Sequence, residues 1–385
     1  MNEIVELVNN DSWNIILNLL KDNKLDPNYK INQNTIAHIA FNKSIKKIVS
    51  YLTKHKIECL KKLDSDGQSC VHLLMKNASY DLLKICLKIN SSLINTTNSK
   101  LRTILFDLIE YNSTSNDVKN ESRMHDIIID LIEKCNKNIN YYLLDFNNNS
   151  IIHEIINSYI KTNNINMYNL LKKIIMSNNL LLDYPEKNYP LIYTLCSDSN
   201  NTCSNKYQIV KLLLRLGANP NVTSLDNILP LSYCIVNGLN DIVKLLLKYK
   251  ANPNNQGFYA QADPMFLAIG NGNDKIINLL LDYKYDCRLC DKYLNTAAHN
   301  ILINSNIYFN NNNISYDTIF RVLINKLSDL NKKNINNDTV IDIINKKYDV
   351  DIFKHLIESK QKKNKQINHN LHINFSNNKL YQNTT

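Results

Sequence analysis

One pattern is written twice between Asn205 and Tyr285, and it restricts the fold more than any total does. Tyr207-Gln-Ile-Val-Lys-Leu-Leu-Leu-Arg-Leu216 runs into Gly217-Ala-Asn-Pro-Asn221, and Asn240-Asp-Ile-Val-Lys-Leu-Leu-Leu-Lys-Tyr249 runs into Lys250-Ala-Asn-Pro-Asn254. In each block the large apolar residues fall at helical spacing, and a Gly/Asn/Pro cluster that cannot continue a helix stops it. A helix, a turn and a fresh start at a fixed interval are the mark of a stacked repeat.

The repeats open on Leu229-Pro-Leu-Ser-Tyr-Cys234 and Asp263-Pro-Met-Phe-Leu-Ala268. These openings resemble the Thr-Pro-Leu-His-x-Ala start of ankyrin repeats, and the Gly-Ala-Asn-Pro-Asn turn strengthens the resemblance. It implies an all-α solenoid of about nine to ten helix–turn–helix units joined by short β-hairpin fingers. Periodicity extends the pattern along the chain. Second helices are predicted over 11–20, 45–54, 80–89, 125–134, 167–176, 207–216, 240–249, 274–283, 316–325 and 350–359, each with a stripe of apolar residues that buries one face. First helices are predicted to open at Thr35, Ser69, Thr103, Ser150, Tyr189, Leu229, Asp263, Thr296 and Thr339.

Where successive openings are close, as from Leu229 to Asp263, the interval matches a period of about 33 residues. Where they are farther apart, the excess falls between the two helices, in 112–123, 159–166, 197–205 and 304–315. These stretches are rich in Asn and Ser and read as loops or one-turn helix extensions. The organisation expected is a capping partial repeat over 1–30, the repeat array over 31–360, and a polar Lys/Asn-rich disordered tail over 361–385.

Composition narrows the function classes. Glycine (6) and proline (7) are too scarce for a loop-rich β chain or a glycine-rich phosphate cradle. The net charge of +10 is spread widely, which favours solubility and does not by itself make a nucleic-acid binder. The start, Met1 to Glu6, is acidic where a signal peptide is basic, and no apolar run approaches the roughly 18 to 20 residues that cross a bilayer. The nine cysteines are scattered and sit mostly inside apolar blocks. A cytoplasmic location is therefore expected, in a host cytoplasm or nucleus if the source is viral or parasitic. Heavy use of Asn, Ile, Lys and Tyr reads as the bias of an AT-rich genome, such as that of a parasite, an amoeba or a large DNA virus.

Several residues look chemical and have a plainer account. Cys287 and Cys290 form a Cys-x-x-Cys, but no second cysteine pair follows to complete four zinc ligands. His38, His72, His153 and His299 each take the fourth place of an opening, and evenly spaced residues in a linear stack do not converge on one metal. In ankyrin repeats that imidazole ties fingers to helices, so the resemblance implies the same here. The hydroxyls at Thr35, Ser69, Thr103, Thr296 and Thr339 suit helix N-caps. No nucleophile elbow, His-Glu-x-x-His or phosphate-loop pattern is present. No catalytic, cofactor or metal residue is therefore assigned, and no enzyme is expected.

The resemblance implies a scaffold that binds another protein through a concave face and finger tips. By register alone the tip positions are Lys30, Asp66, Asp226, Phe258 and Tyr293. A monomer with a protein partner is expected, without a membrane and with nucleic acid disfavoured. Two other functions stay open. One is an adaptor that recruits a host or cellular target to other machinery; the other is a nucleic-acid-associated factor acting through the basic tail.

Overall fold

The computed structural model describes residues 2–114, 118–135, 137–184, 190–196, 203–223, 229–254, 263–308, 316–323 and 329–347. The chain divides into two compact bodies, Met1–Ala218 and Asn219–Thr385. The first begins with α1 (Asn2–Asn9) and α2 (Trp13–Lys21), a helix pair like those that follow. A hairpin, β1 (Lys30–Ile31) with β2 (Asn34–Thr35), leads into α3 (Ile36–Asn42), α4 (Lys46–His55) and the single turn α5 (Ile57–Leu60). Then come α6 (Cys70–Lys76) with α7 (Tyr80–Ile89), α8 (Ile104–Thr114) with α9 (Val118–Cys135), α10 (Ile151–Thr162) with α11 (Ile165–Ser177), and α12 (Pro190–Cys196) with α13 (Cys203–Arg215). The second body holds α14 (Pro230–Val236) with α15 (Asn240–Lys248), α16 (Pro264–Gly270) with α17 (Asp274–Asp282), α18 (Ala297–Tyr308) with α19 (Tyr316–Leu323), and α20 (Val340–Lys347). The expected second helix over 350–359 and the tail over 361–385 lie outside the described residues.

First helices such as α3, α6, α14 and α16 are only seven residues long. Alone, helices that short are unstable in water, so packing holds them. Each packs against its own second helix and the first helix of the next repeat, as α3 does on α4 and α6, and α16 on α17 and α18. Their apolar faces are fully enclosed: Ile36, Ala37, Ala40 and Phe41 in α3 and Met265, Ala268 and Ile269 in α16 expose nothing. Burying an aliphatic or aromatic side chain of this size is worth about 1.5–3 kcal/mol, so each layer depends on its neighbours.

The turn between the two helices needs one residue at positive φ. Gly238 and Gly272 supply it in the second body, while Ser44, Ala78 and Asn163 adopt it in the first. A side chain there costs backbone strain, which is the local reason why glycine suits this turn and why its absence does not abolish it.

The long intervals are largely helical where they are described. Helix α9 runs 18 residues against ten for α7, and α10 and α11 reach 12 and 13. Helix extension is thus what residues 112–114, 118–123 and 159–162 provide, and it exceeds one turn in α9. Residues 197–202 and 309–315 of the other two stretches lie outside the description.

Candidate functional site

The fingers come before the first helices and repeat a single construction. Isolated antiparallel bridges join Leu63 to Ser69, Thr97 to Thr103, Leu144 to Ser150 and Cys290 to Thr296. One residue after the first bridge partner stands an Asp or Asn whose Oδ1 accepts two backbone N–H groups. Asp64 takes those of Asp66 and Gln68 (2.9 and 2.8 Å), Asn98 those of Lys100 and Arg102, Asp145 those of Asn147 and Asn149. In the second body Asp291 takes those of Tyr293 and Asn295, and Asn334 those of Asn336 and Asp338. Three residues after this anchor the chain turns left-handed, at Gly67, Leu101, Asn148, Leu294 and Asn337. An Asp or Asn side chain that replaces a backbone acceptor is what closes such a loop. The anchor lies five residues before the Ser/Thr that opens each helix.

The openings bind the fingers to the helices. His38 Nε2 lies 2.9 Å from the Lys62 carbonyl, His72 Nε2 3.1 Å from Arg102 O, and His299 Nε2 3.2 Å from Asp338 O. A carbonyl only accepts, so Nε2 carries the proton and Nδ1 is the acceptor. Nδ1 then meets the opening hydroxyl, at 2.7 Å from Thr35 Oγ1, 2.6 Å from Ser69 Oγ and 2.8 Å from Thr296 Oγ1. At Ser150 the backbone N–H also donates to His153 Nδ1, so the imidazole fills the place of Glu in a capping box. Burial holds the imidazoles of His72 and His299 below the ordinary value. His38, His72 and His299 therefore act as the resemblance implies, each tying its helix to the finger that follows it. In the last described repeat Asp342 takes the same place, accepting from the N–H and Oγ1 of Thr339.

Asp263 departs from the pattern. Its Oδ1 caps α16 by accepting from the N–H groups of Met265 and Phe266, and also accepts the hydroxyl of Tyr285 at 2.9 Å. Both side chains are fully buried, and burial beside Asp263 pushes the Tyr285 phenol far above its usual value. Cys287 is buried in the finger, and Cys290 begins the bridge to Thr296. Burial pushes the Cys59 thiol up to about 12 and Cys86 to about 11. Among the described residues, no cluster of His, Cys, Asp and Glu is arranged to hold a metal ion.

The tips expected from register fall unevenly. Tyr293 is half-exposed at a finger tip, with the Lys292 ammonium 5.0 Å from its ring centroid. Asp66 is exposed on a tip and drawn back toward Lys76 at the end of α6, 3.8 Å away. Lys30 is exposed but belongs to β1, paired with Thr35; the turn itself is Asn32 and Gln33, both at positive φ. Asp226 and Phe258 lie outside the described residues.

Other tip residues were missed. Phe146 is 78% exposed and Ile335 62%, each directly after its anchor, and Leu101 and Leu294 are half-exposed at the left-handed position. Neighbouring fingers are joined through these segments by backbone bonds. Ser99 N donates to Gly67 O, Phe146 N to Lys100 O and Ile335 N to Tyr293 O. These bonds bring exposed apolar residues onto adjoining finger loops twice: Leu101 and Phe146 in the first body, and Tyr293, Leu294 and Ile335 in the second. The signal that would have found them is the anchor, an Asp or Asn five residues ahead of a Ser or Thr.

A half-buried polar cluster lies beside the first of these patches. Arg102 Nε donates to Asp107 Oδ1 at 2.8 Å and its Nη2 is 2.8 Å from Glu110 Oε2. Burial raises the pKa of Glu154 on α10, with the Arg102 charge working against the rise.

With the construction of fingers and helix pairs established, comparison with known proteins is direct. Residues 201–293 match the family model described as ankyrin repeats (3 copies). This stretch carries ankyrin repeats. A search of curated proteins gave no match for the sequence. The matched stretch covers α13 to α17 and part of the finger before α18; helix pairs recur in described residues on both sides of it, and the histidine ties of His38, His72 and His299 lie outside it. Ankyrin repeats are in general protein–protein interaction modules. Among the described residues no helix is long and apolar enough to cross a membrane.

Proposed function

We propose that this protein is a non-catalytic scaffold of nine to ten ankyrin repeats that binds a partner protein through its finger tips and the adjoining first helices. The observation that carries this reading is the pair of apolar tip patches, Leu101 with Phe146 and Tyr293 and Leu294 with Ile335. Large apolar side chains held out on backbone-anchored loops gain free energy when a partner covers them. The loops are already ordered, so little entropy is lost on binding. The tip side chains also take no part in the anchor, the histidine tie or the helix packing, so they vary without cost to the fold.

The test compares the intact chain with one carrying Leu101→Ser, Phe146→Ser, Tyr293→Ser and Ile335→Ser, in affinity capture after proximity labelling in the source cell. Loss of specific partners with unchanged far-ultraviolet circular dichroism supports tip binding. The same partners at the same yield overturn it.

A further inference from the structure

Between the second helices α7 and α9 lies a groove of about 510 Å³, and its lining comes only from these helices and the loops that leave them. Fingers and first helices contribute nothing to it. Leu87 and Leu131 form a buried apolar floor with Ile85 beside them. Three lysines stand around it, Lys84, Lys88 and Lys134, against one carboxylate, Asp130. Asp130 lies 3.2 Å from Lys84 Nζ and 2.6 Å from Lys134 Nζ, so it bridges the two helices. The hydrogen bond from Lys134, with Lys84 beside it, holds the Asp130 carboxyl below the usual range. One negative charge cannot balance three positive ones, and the rim keeps an excess of two positive charges. At one end the groove is closed by Asn138, whose Nδ2 donates to Ser91 Oγ at 2.6 Å.

We propose that this groove is a second binding site, distinct from the finger tips, which takes an acidic segment of a partner protein with carboxylates alternating with apolar side chains. The floor and the rim each contribute to the choice. A purely ionic ligand leaves uncovered the apolar lining that half-buried Ile85 contributes over Leu87 and Leu131, while a purely apolar one strands three ammonium groups against hydrocarbon, which costs free energy. A peptide that sets a leucine-sized side chain on the floor and carboxylates toward Lys84, Lys88 and Lys134 satisfies both. The volume falls within the range of about 300–1,000 Å³ typical of ligand pockets, enough for one or two such side chains. Complementary charge of this kind sets specificity and rate of encounter and weakens with salt. Asp130 then acts as an internal competitor: it occupies two of the lysines until a ligand carboxylate replaces it.

The probe is a fluorescein-labelled Glu-Leu-Glu-Leu-Glu peptide, titrated with the full chain and followed by fluorescence anisotropy at 50 mM and 500 mM salt. Binding is expected at low salt, weakened at least tenfold by Lys84→Gln/Lys88→Gln/Lys134→Gln together and tightened about threefold by Asp130→Asn. Circular dichroism and thermal melting show that each variant folds. The four tip substitutions given above are expected to leave peptide binding unchanged, so failure here and failure of tip binding are told apart. Equal binding by the triple variant overturns the site, and weaker binding by Asp130→Asn overturns the competitor role. Equal affinity for Glu-Ser-Glu-Ser-Glu overturns the part given to the floor.

Discussion

Removing one oxygen from Tyr285 tests whether the buried pair with Asp263 holds the second body together. In Tyr285→Phe the ring remains and no cavity opens, so the change isolates the hydrogen bond from Tyr285 Oη to Asp263 Oδ1. A hydrogen bond to a charged group is worth about 1.5–3 kcal/mol. Asp263 Oδ1 keeps the N–H groups of Met265 and Phe266 and is not left bare. The expected loss is therefore toward the lower end, about 2 kcal/mol. With a urea slope of about 1–3 kcal/mol per molar, the midpoint of unfolding falls by about 1 M, read by far-ultraviolet circular dichroism on the full chain. A cycle with Asp263→Thr, which keeps a capping oxygen without the charge, isolates the pair; a coupling of about 1–2 kcal/mol is expected. A loss under about 0.5 kcal/mol, the size seen for substitutions remote from any such feature, would refute the argument.

Three further perturbations follow from the fingers and openings. Gly67 has φ +73°, and a Cβ there would stand 2.6 Å from Ser99 Cβ; Gly67→Ala is expected to cost about 3 kcal/mol from backbone strain and overpacking together, with part recovered by adding Ser99→Gly, as read by thermal melting. Burial depresses the imidazoles of His72 and His299, so on acidification the unfolded chain takes up protons first. Their contribution is complete above the unfolded value of about 6.5 and is lost as pH falls through the window below it. Urea unfolding at pH 7.5 and 5.5 should show the loss, and His72→Gln should flatten it; an unchanged pH dependence counts against neutral ties. Glu154 is shifted the other way: burial raises its carboxyl, so its contribution is present in acid and lost as pH rises through the folded value. Glu154→Gln should melt higher than the parent at pH 7, with the advantage shrinking in acid, and a lower melting point at pH 7 refutes the reasoning.

Helical period and opening motif made the helices and the histidine ties legible, because both depend on residues close in sequence. The apolar stripe of 240–249 and Pro230 or Pro264 at the first helical position fix local structure directly. The tips were not legible in the same way. Lys30 stands five residues before its opening Thr35, whereas Asp66 and Tyr293 stand three before Ser69 and Thr296; the equivalent position in this hairpin is Asn32, which forms the turn with Gln33. Nothing in the sequence marks Leu101 and Leu294 as tips, since an apolar residue at positive φ runs against propensity; the strain is borne by the Asx anchor and the bridge around it. The groove over Leu87 and Leu131 was hidden for a different reason. It depends on residues 46 positions apart, Lys84 and Asp130, meeting across two helices of unequal length.

Asparagine illustrates how composition misleads when it is read without position. Its abundance reads as codon bias, yet many of these side chains carry bonds between repeats. Asn95 donates to Asn138 O at 2.6 Å and accepts from Asn140 N at 2.8 Å. Asn221 does the same with Lys250 O and Asn252 N, and Asn254 accepts from Asp286 N. Between helices, Asn271 reaches the carbonyls of Ile235 and Val236, and Asn273 reaches Asn240. An amide both donates and accepts, so one side chain can bind the two faces of a neighbouring loop, where Lys only donates and a carboxylate only accepts. Each such bond is worth about 1 kcal/mol, and repeats with short seven-residue first helices need several of them. Genomic bias and structural demand thus favour the same residue, and the bonded positions, not the total, show where demand is met.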